Sequence, residues 1–533
     1  MIGLAMSFLL ELALSPRPRA PWRRPAASVG VHIGVMMVAY GLELALFRRP
    51  VFAMLNVLSI QAVLVLVSQA KYGALREPFV YPDFEYFLDA IKHPRLYLPF
   101  FGRIKALAAG GGYGVMLWAG LTVEDSLTGA AGMWVASFAD WMQEDAVQGP
   151  VVLASFWSLT LSMVFVGACL VMWAGRDRAS NQVSFDAGAD LERLGLFAAL
   201  WRYRVHERRA VRTQDLPDPG FPAIAPGSVA ADALPDIVVV QSESFFDARR
   251  MFRCIRPEVL ARFDALRADA DAFGTLDVAA WGANTVRTEF AFLSGLPPEP
   301  LGVHRFNPYR KLVQQGVTTL ASYLKTLGYR TVCVHPYPAS FYRREQVYPL
   351  MGFDDFFDIA SFDDAPRFGP YVSDAAVADH VSRMIAGREG DARPLFLFII
   401  TMENHGPLHW ETVDAADEQR LFDTSGGRLP AACSDLVAYV RHLAHADAMF
   451  GQLAEALSAS SRPSKLCIYG DHVPIMPGVY SELGTPDGRT DYLIWRPQHV
   501  RAASLPGQHK PVLPQHRQVS DLARLVLDPP VAH

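Results

Sequence analysis

Residues 151–174, VVLASFWSLTLSMVFVGACLVMWA, carry no charge over a length that matches a bilayer. A helix needs ~20 apolar residues to cross the hydrocarbon layer, so this run restricts the first third of the chain more than any other feature. Two earlier runs repeat the pattern, 31–47 (VHIGVMMVAYGLELALF) and 51–70 (VFAMLNVLSIQAVLVLVSQA), with Arg48, Arg49 and Pro50 between them. Residues 2–15 and 104–122 are shorter or weaker candidates; the second holds Gly110, Gly111 and Gly112, which suit close helix packing. The expectation is an α-helical transmembrane domain of about five spans over residues 1–175. Glu11 and Glu43 fall inside apolar runs, where a carboxylate is costly and often functional.

The N-terminal run has no basic segment before it and no small-residue cleavage site after it, so it reads as a span and not as a signal peptide. Residues 71–102 are rich in aromatics and prolines, as at a lipid interface. Residues 176–233 read as a juxtamembrane region, with an interfacial amphipathic helix over 191–212 and a proline-marked linker at Pro217, Pro219, Pro222 and Pro226. Loop charge leaves orientation open, because the basic stretch 17–24 and an outward-facing tail conflict for five spans.

At 533 residues the chain is too long for one ordinary core. A net charge of −5 gives no reason to expect a nucleic-acid partner. The five cysteines, Cys169, Cys254, Cys333, Cys433 and Cys467, form no CxxC pair and no disulfide framework.

From residue 234 to 533 the pattern becomes that of an α/β domain. Apolar strands are predicted at 236–241, 331–335, 395–401, 466–470 and 492–495, with helices between them, notably over 318–329 and 436–457. Strands alternating with helices predict a mostly parallel sheet covered on both faces.

Ligands of such sheets sit beyond the carboxyl ends of the strands, and those ends are polar here. The first strand runs into QSESFFD, which presents Glu243. The next presents His335, Tyr342 and Arg344 in HPYPASFYRREQVY. Another presents Glu403, Asn404 and His405 in TMENHGP, and YGDHVP presents Asp471 and His472. Two carboxylates and an imidazole suffice for one divalent cation with a position left open. A threonine hydroxyl bound there could lose its proton near neutral pH and attack phosphorus or sulfur. Thr285, in WGANTVRTEF, is the candidate nucleophile, with Thr288 as its rival. His335, Arg344 and His405 would hold non-bridging oxygens, and Arg343 lies beside Arg344 as an alternative.

The motifs QSESFFD, GANTVRTEF, HPYPASFYRREQVYPLMGF, ENHGP and YGDHVP occur in an order that resembles the lipoteichoic acid synthases and related phosphoglycerol transferases of the alkaline phosphatase and sulfatase superfamily. The resemblance extends over nearly the whole chain. It implies several spans followed by an extracytoplasmic, sulfatase-like catalytic domain in the plasma (inner) membrane. It also implies a metal site of Glu243, Thr285, Asp471 and His472, usually manganese with magnesium as an alternative, and phosphoglycerol contacts from His335, Arg344 and His405. Tyr342 stands where some relatives carry tryptophan. The implied reaction takes sn-glycerol phosphate from phosphatidylglycerol, by way of Thr285, to a glycan or glycerol phosphate acceptor. A phosphoethanolamine transferase and a catalytically silent envelope-assembly protein are the alternatives. A sulfatase nucleophile is excluded at Cys254, whose second following residue is Arg256 and not proline.

Overall fold

The computed structural model describes the chain except for residues 86–102, 128–147, 177–181, 210, 223–233, 389–392, 426, 499, 501–511 and 528–533. It divides into two compact units, Met1–Ala210 and Val211–His533. Parts of the interfacial segment (86–102) and of the linker (223–233) lie outside the described residues.

In the first unit, helices Ala26–Phe47, Pro50–Leu75 and Leu153–Arg176 are long and apolar enough to cross a membrane. The other two expected spans do not reach that standard. Ile2–Leu10 has only nine residues, too few for a crossing at ~1.5 Å per residue. Arg103–Val123 does form a helix, but it is not among the candidate spans of the described residues. A Cβ added at Gly110, Gly111 or Gly112 would meet nothing within 4 Å, so among the described residues no helix packs closely on these glycines. Close packing occurs instead between Gly34 and Gly167, where an added Cβ would approach the opposing backbone at 2.7 and 2.9 Å.

The expected interfacial helix is two helices, Ala187–Leu194 and Leu196–Glu207. Gly195 breaks it with φ +81°, and a side chain there would collide with the Arg24 guanidinium. Leu191, Leu196 and Leu200 are buried with Leu14, Val65 and Phe79, so this segment packs into the unit. Glu11 is fully buried and not exposed to lipid. Arg24 Nη1 donates to Oε2 at 2.5 Å and the Leu196 N–H to Oε1 at 2.9 Å. Those bonds offset the cost of a buried carboxylate. Glu43 accepts a bond from Asn56 Nδ2 at 2.9 Å.

The second unit is built on one eight-stranded sheet. In chain order the strands are β1 (Asp236–Ser242), β2 (Ala272–Asp277), β3 (Arg330–Val334), β4 (Asp355–Phe357), β5 (Leu395–Ile400), β6 (Ser464–Gly470), β7 (Thr490–Trp495) and β8 (Gln515–Gln518). Their spatial order is β8-β2-β7-β6-β1-β5-β3-β4. All neighbours are parallel except β7, which is antiparallel to β2 and to β6. The five strands expected from sequence are β1, β3, β5, β6 and β7.

Both faces of the central strands are buried. Val238, Val240, Leu397, Ile399, Leu466 and Ile468 face a core shared with helices Asp374–Ala386 and Ser434–Ala459. Ile237, Val239, Phe396, Phe398, Cys467 and Tyr469 face a second core shared with Thr285–Ser294 and Leu320–Thr326. Successive residues of a strand point to opposite faces, so a doubly covered strand reads as an unbroken apolar run. All five cysteines are free thiols.

Candidate active site

Sheet register brings the candidate ligands together. Ser242 on β1 pairs with Gly470 on β6, so the next residues, Glu243 and Asp471, leave adjacent strands at the same level. Strands lie ~4.8 Å apart. His472 follows, and ligand atoms of Glu243, Asp471 and His472 lie within 4.8 Å of one another. His472 Nε2 is 3.2 Å from Asp471 Oδ2 and 3.6 Å from Glu243 Oε1. All three side chains are buried.

Gly470 is required by the tightness of this turn. A Cβ there would stand 1.7 Å from the carbonyl oxygen of Phe245. The obstacle is backbone, so Gly470→Ala should force the ends of β1 and β6 apart. Thermal unfolding of the full-length protein in detergent should register a loss at or above the ~3 kcal/mol that bounds most point substitutions.

Ser244 ties the group together, a role that sequence reading missed. Its N–H donates to Asp471 Oδ1 at 2.9 Å and its hydroxyl donates to Glu243 Oε1 at 2.9 Å. Its φ is +54°, in the left-handed region that a non-glycine residue adopts only when its surroundings hold it there. Asn284, Tyr342 and Arg343 also have positive φ, so three strand-end segments carry local backbone strain. The Glu243 N–H donates to Thr401 Oγ1 at 2.9 Å, which fastens β1 to the end of β5.

These residues fit a cation. Burial, and then the Asp471 carboxylate, push Glu243 up to about 8. Asp471 Oδ2 is buried with no hydrogen-bond partner. Buried polar oxygens are nearly always satisfied, and a divalent cation would satisfy this one and neutralise both acids. Glu243 must lose its proton to act as a ligand. Apparent affinity for a divalent cation should therefore fall about tenfold per pH unit below about 8, measured by calorimetric titration.

Thr285 is the first residue of helix Thr285–Ser294, after Asn284 at φ +64°. Its rival Thr288 is fully buried, and its Oγ1 donates to the Asp471 carbonyl at 2.8 Å. That bond occupies Thr288 and pins the first turn of the helix beside the acid. Thr285 lies three residues earlier on the same helix, at its first position, and is not fully buried.

His335, Arg344 and Tyr342 lie together. His335 Nδ1 faces the Ile400 carbonyl at 3.2 Å, and Arg344 Nη1 lies 3.3 Å from His335 Nε2. Burial, and then Arg344, hold His335 well below its ordinary pKa, so it is neutral. Arg344 is buried and already paired: Nη2 donates to Glu289 Oε2 at 2.9 Å and Nε to the Tyr348 hydroxyl at 2.8 Å. Its Cζ stands 5.3 Å from the centre of the Tyr342 ring. Arg343 is exposed and bonds Gln346, which sets it apart from this group. Glu289 also takes hydroxyl bonds from Tyr348, at 2.5 Å, and from Tyr309. His405 Nδ1 lies 2.7 Å from the Gly406 carbonyl and 3.2 Å from the Tyr371 hydroxyl. Burial lowers its pKa, opposed by the Gly406 carbonyl and by Asp471.

Residues 235–528, just over half of the chain, match the family described as Sulfatase. The chain belongs to the sulfatase family. The sulfatase-family domain therefore coincides with the sheet and with every residue of the candidate site. A curated relative, the capsular polysaccharide biosynthesis protein RkpI of Rhizobium meliloti, is 27% identical over 477 residues, covering 86% of this chain and 80% of that protein. Among solved structures, the integral membrane protein lipooligosaccharide phosphoethanolamine transferase A from Neisseria meningitidis aligns over 98% of this chain and 95% of its own, with a TM-score of 0.52 and 12% identity. At that identity the likeness shows the fold: N-terminal apolar helices followed by a sulfatase-like domain. The phosphoglycerol transferase GacH of Streptococcus pyogenes aligns over 59% of this chain and 76% of its own, with a TM-score of 0.42 and 19% identity.

Proposed function

We propose that this sulfatase-family protein is a membrane-anchored phosphoglycerol transferase. In this reading it moves sn-glycerol phosphate from phosphatidylglycerol to an extracytoplasmic glycan or glycerol phosphate acceptor. The observation that carries the reading is the gathering of Glu243, Asp471 and His472 within 4.8 Å, with the helix bearing Thr285 anchored to Asp471.

Glu243, Asp471 and His472 would hold one divalent cation, manganese or magnesium, with Thr285 in its open position. When bound, such an ion lowers the pKa of a coordinated hydroxyl and neutralises charge on a phosphoryl group. Thr285 Oγ attacks phosphorus and the bond to the diacylglycerol oxygen breaks. Diacylglycerol leaves with a proton, and phosphoglycerol stays esterified to the threonine. An acceptor hydroxyl then attacks the same phosphorus, gives up its proton, and frees Thr285. Neutral His335 and His405 each spend their one ring N–H on a backbone carbonyl, of Ile400 and Gly406, so the positive charge for non-bridging oxygens would come from the Arg344 guanidinium, 3.3 Å from His335 Nε2.

The three apolar helices suit a donor that stays in its bilayer. An inner-membrane, multi-pass placement with the domain on the outer side follows from this reading. Phosphoethanolamine transfer is the alternative within the same site. Incubation with head-group-labelled phosphatidylglycerol should release diacylglycerol and leave label on the protein. Label from phosphatidylethanolamine alone would replace this reading with the alternative, and no label from either would overturn both.

A further inference from the structure

A second group of ligand-type side chains lies in the same domain. Glu403 follows the end of β5 by three residues, and His442 and His445 stand three apart on helix Ser434–Ala459. Residues at i and i+3 share a helix face. Both imidazoles turn Nδ1 toward the same oxygen, Glu403 Oε1, at 3.0 Å for His442 and 2.5 Å for His445. We propose that Glu403, His442 and His445 form a second cation site, distinct from Glu243, Asp471 and His472, for a borderline transition cation such as zinc.

Four features carry the assignment. The far nitrogen of His442, Nε2, faces Glu411 at 2.9 Å, and Glu411 is held by Arg441 at 2.8 Å. A carboxylate behind the ring is how metal-bound histidines are oriented. The second oxygen of Glu403 is fixed by the backbone N–H of Asp374 at 2.6 Å. Asp374 is itself buried, and its Oδ1 has no hydrogen-bond partner, so a fourth oxygen donor stands free next to Glu403. Finally, Phe368 packs on both rings, at 5.3 Å from His442 and 4.8 Å from His445. Glu403 and His442 are buried, whereas the His445 side chain is 33% exposed and gives an ion a route in. Two imidazoles and a carboxylate are a borderline donor set, which suits zinc better than magnesium or calcium.

Such an ion would tie the strand-end loop that carries His405, two residues after Glu403, to the helix behind it. The competing arrangement is a cation-free clamp, in which a protonated His442 bridges Glu403 and Glu411.

The test is a metal count that needs no substrate. Full-length protein in detergent is stripped with a chelator, titrated with Zn2+ alone, and analysed by mass spectrometry for metal content. Two equivalents per chain are expected. The paired substitution His442→Ala with His445→Ala should retain one, and Asp471→Ala should retain the other. His445→Gln, at the partly exposed position, should keep the fold and weaken the second site about 10- to 100-fold. In the Asp471→Ala protein, Zn2+ should still raise the melting temperature. Wild-type protein that binds one equivalent, lost on Asp471→Ala, would overturn the proposal. So would two equivalents that persist in the paired histidine variant. A single equivalent kept in Asp471→Ala but lost with the histidines would support this site and count against the Glu243 site instead.

Discussion

Thr285→Ala should lower turnover of phosphatidylglycerol by at least about 10³-fold, the scale of losing a nucleophile, and should abolish the labelled protein intermediate. Its melting temperature should stay near wild type. Thr285 stands at the start of its helix and is not fully buried, so removing its hydroxyl strands no buried partner. Thr288→Ala should behave in the opposite way. The Thr288 hydroxyl satisfies the buried Asp471 carbonyl, so its loss should cost about 1–3 kcal/mol of stability while the intermediate still forms. Label retained on Thr285→Ala protein and lost on Thr288→Ala protein would reverse the assignment of the nucleophile.

The second large effect is expected at the Arg344–Glu289 pair. Both side chains are almost fully buried, and breaking a buried pair by removing one partner costs about 3–5 kcal/mol because a lone charge remains. Arg344→Ala and Glu289→Ala should each lower thermal stability on that scale. The double variant Arg344→Met with Glu289→Met removes both charges together and should recover much of the loss. It should still be inactive, since His335 Nε2 loses the guanidinium 3.3 Å away. Single variants that melt like wild type would show that the pair is not a stability element. A double variant with wild-type turnover would remove Arg344 from the site.

The pair also shows where sequence reading falls short. Glu289 belongs to the GANTVRTEF motif, but nothing in that motif points to Arg344. It sits in a helix whose residues from Val286 to Ser294 are all buried, and its partner is 55 positions away. Ser244 is similar: the sequence offers a serine after Glu243, whereas the fold turns it to φ +54° and uses both its N–H and its hydroxyl on two acids. The three strands that were missed share a physical cause. β2 contains Gly274, β4 has three residues, and β8 is a polar edge strand, Gln515–Gln518, exposed over most of its length. None carries the unbroken apolar run of a doubly covered strand. Glu403 was visible at a strand end, but its convergence with His442 and His445 depends on how a 26-residue helix packs against β5.

The amino-acid order alone determined the apolar helices, the central strands and the identity of the polar groups at their carboxyl ends. Each of these is a local pattern, set by hydrophobic period and by the residues that terminate a run. Tertiary structure decided which of those groups meet. Pairing of Ser242 with Gly470 sets Glu243 beside Asp471, and the turn at Gly195 folds an expected surface helix into the first unit. Through-space placement also gave Thr288 an anchoring bond and Arg344 a buried counter-charge. Contacts between distant segments depend on register, packing and burial, and the linear order of residues does not carry those.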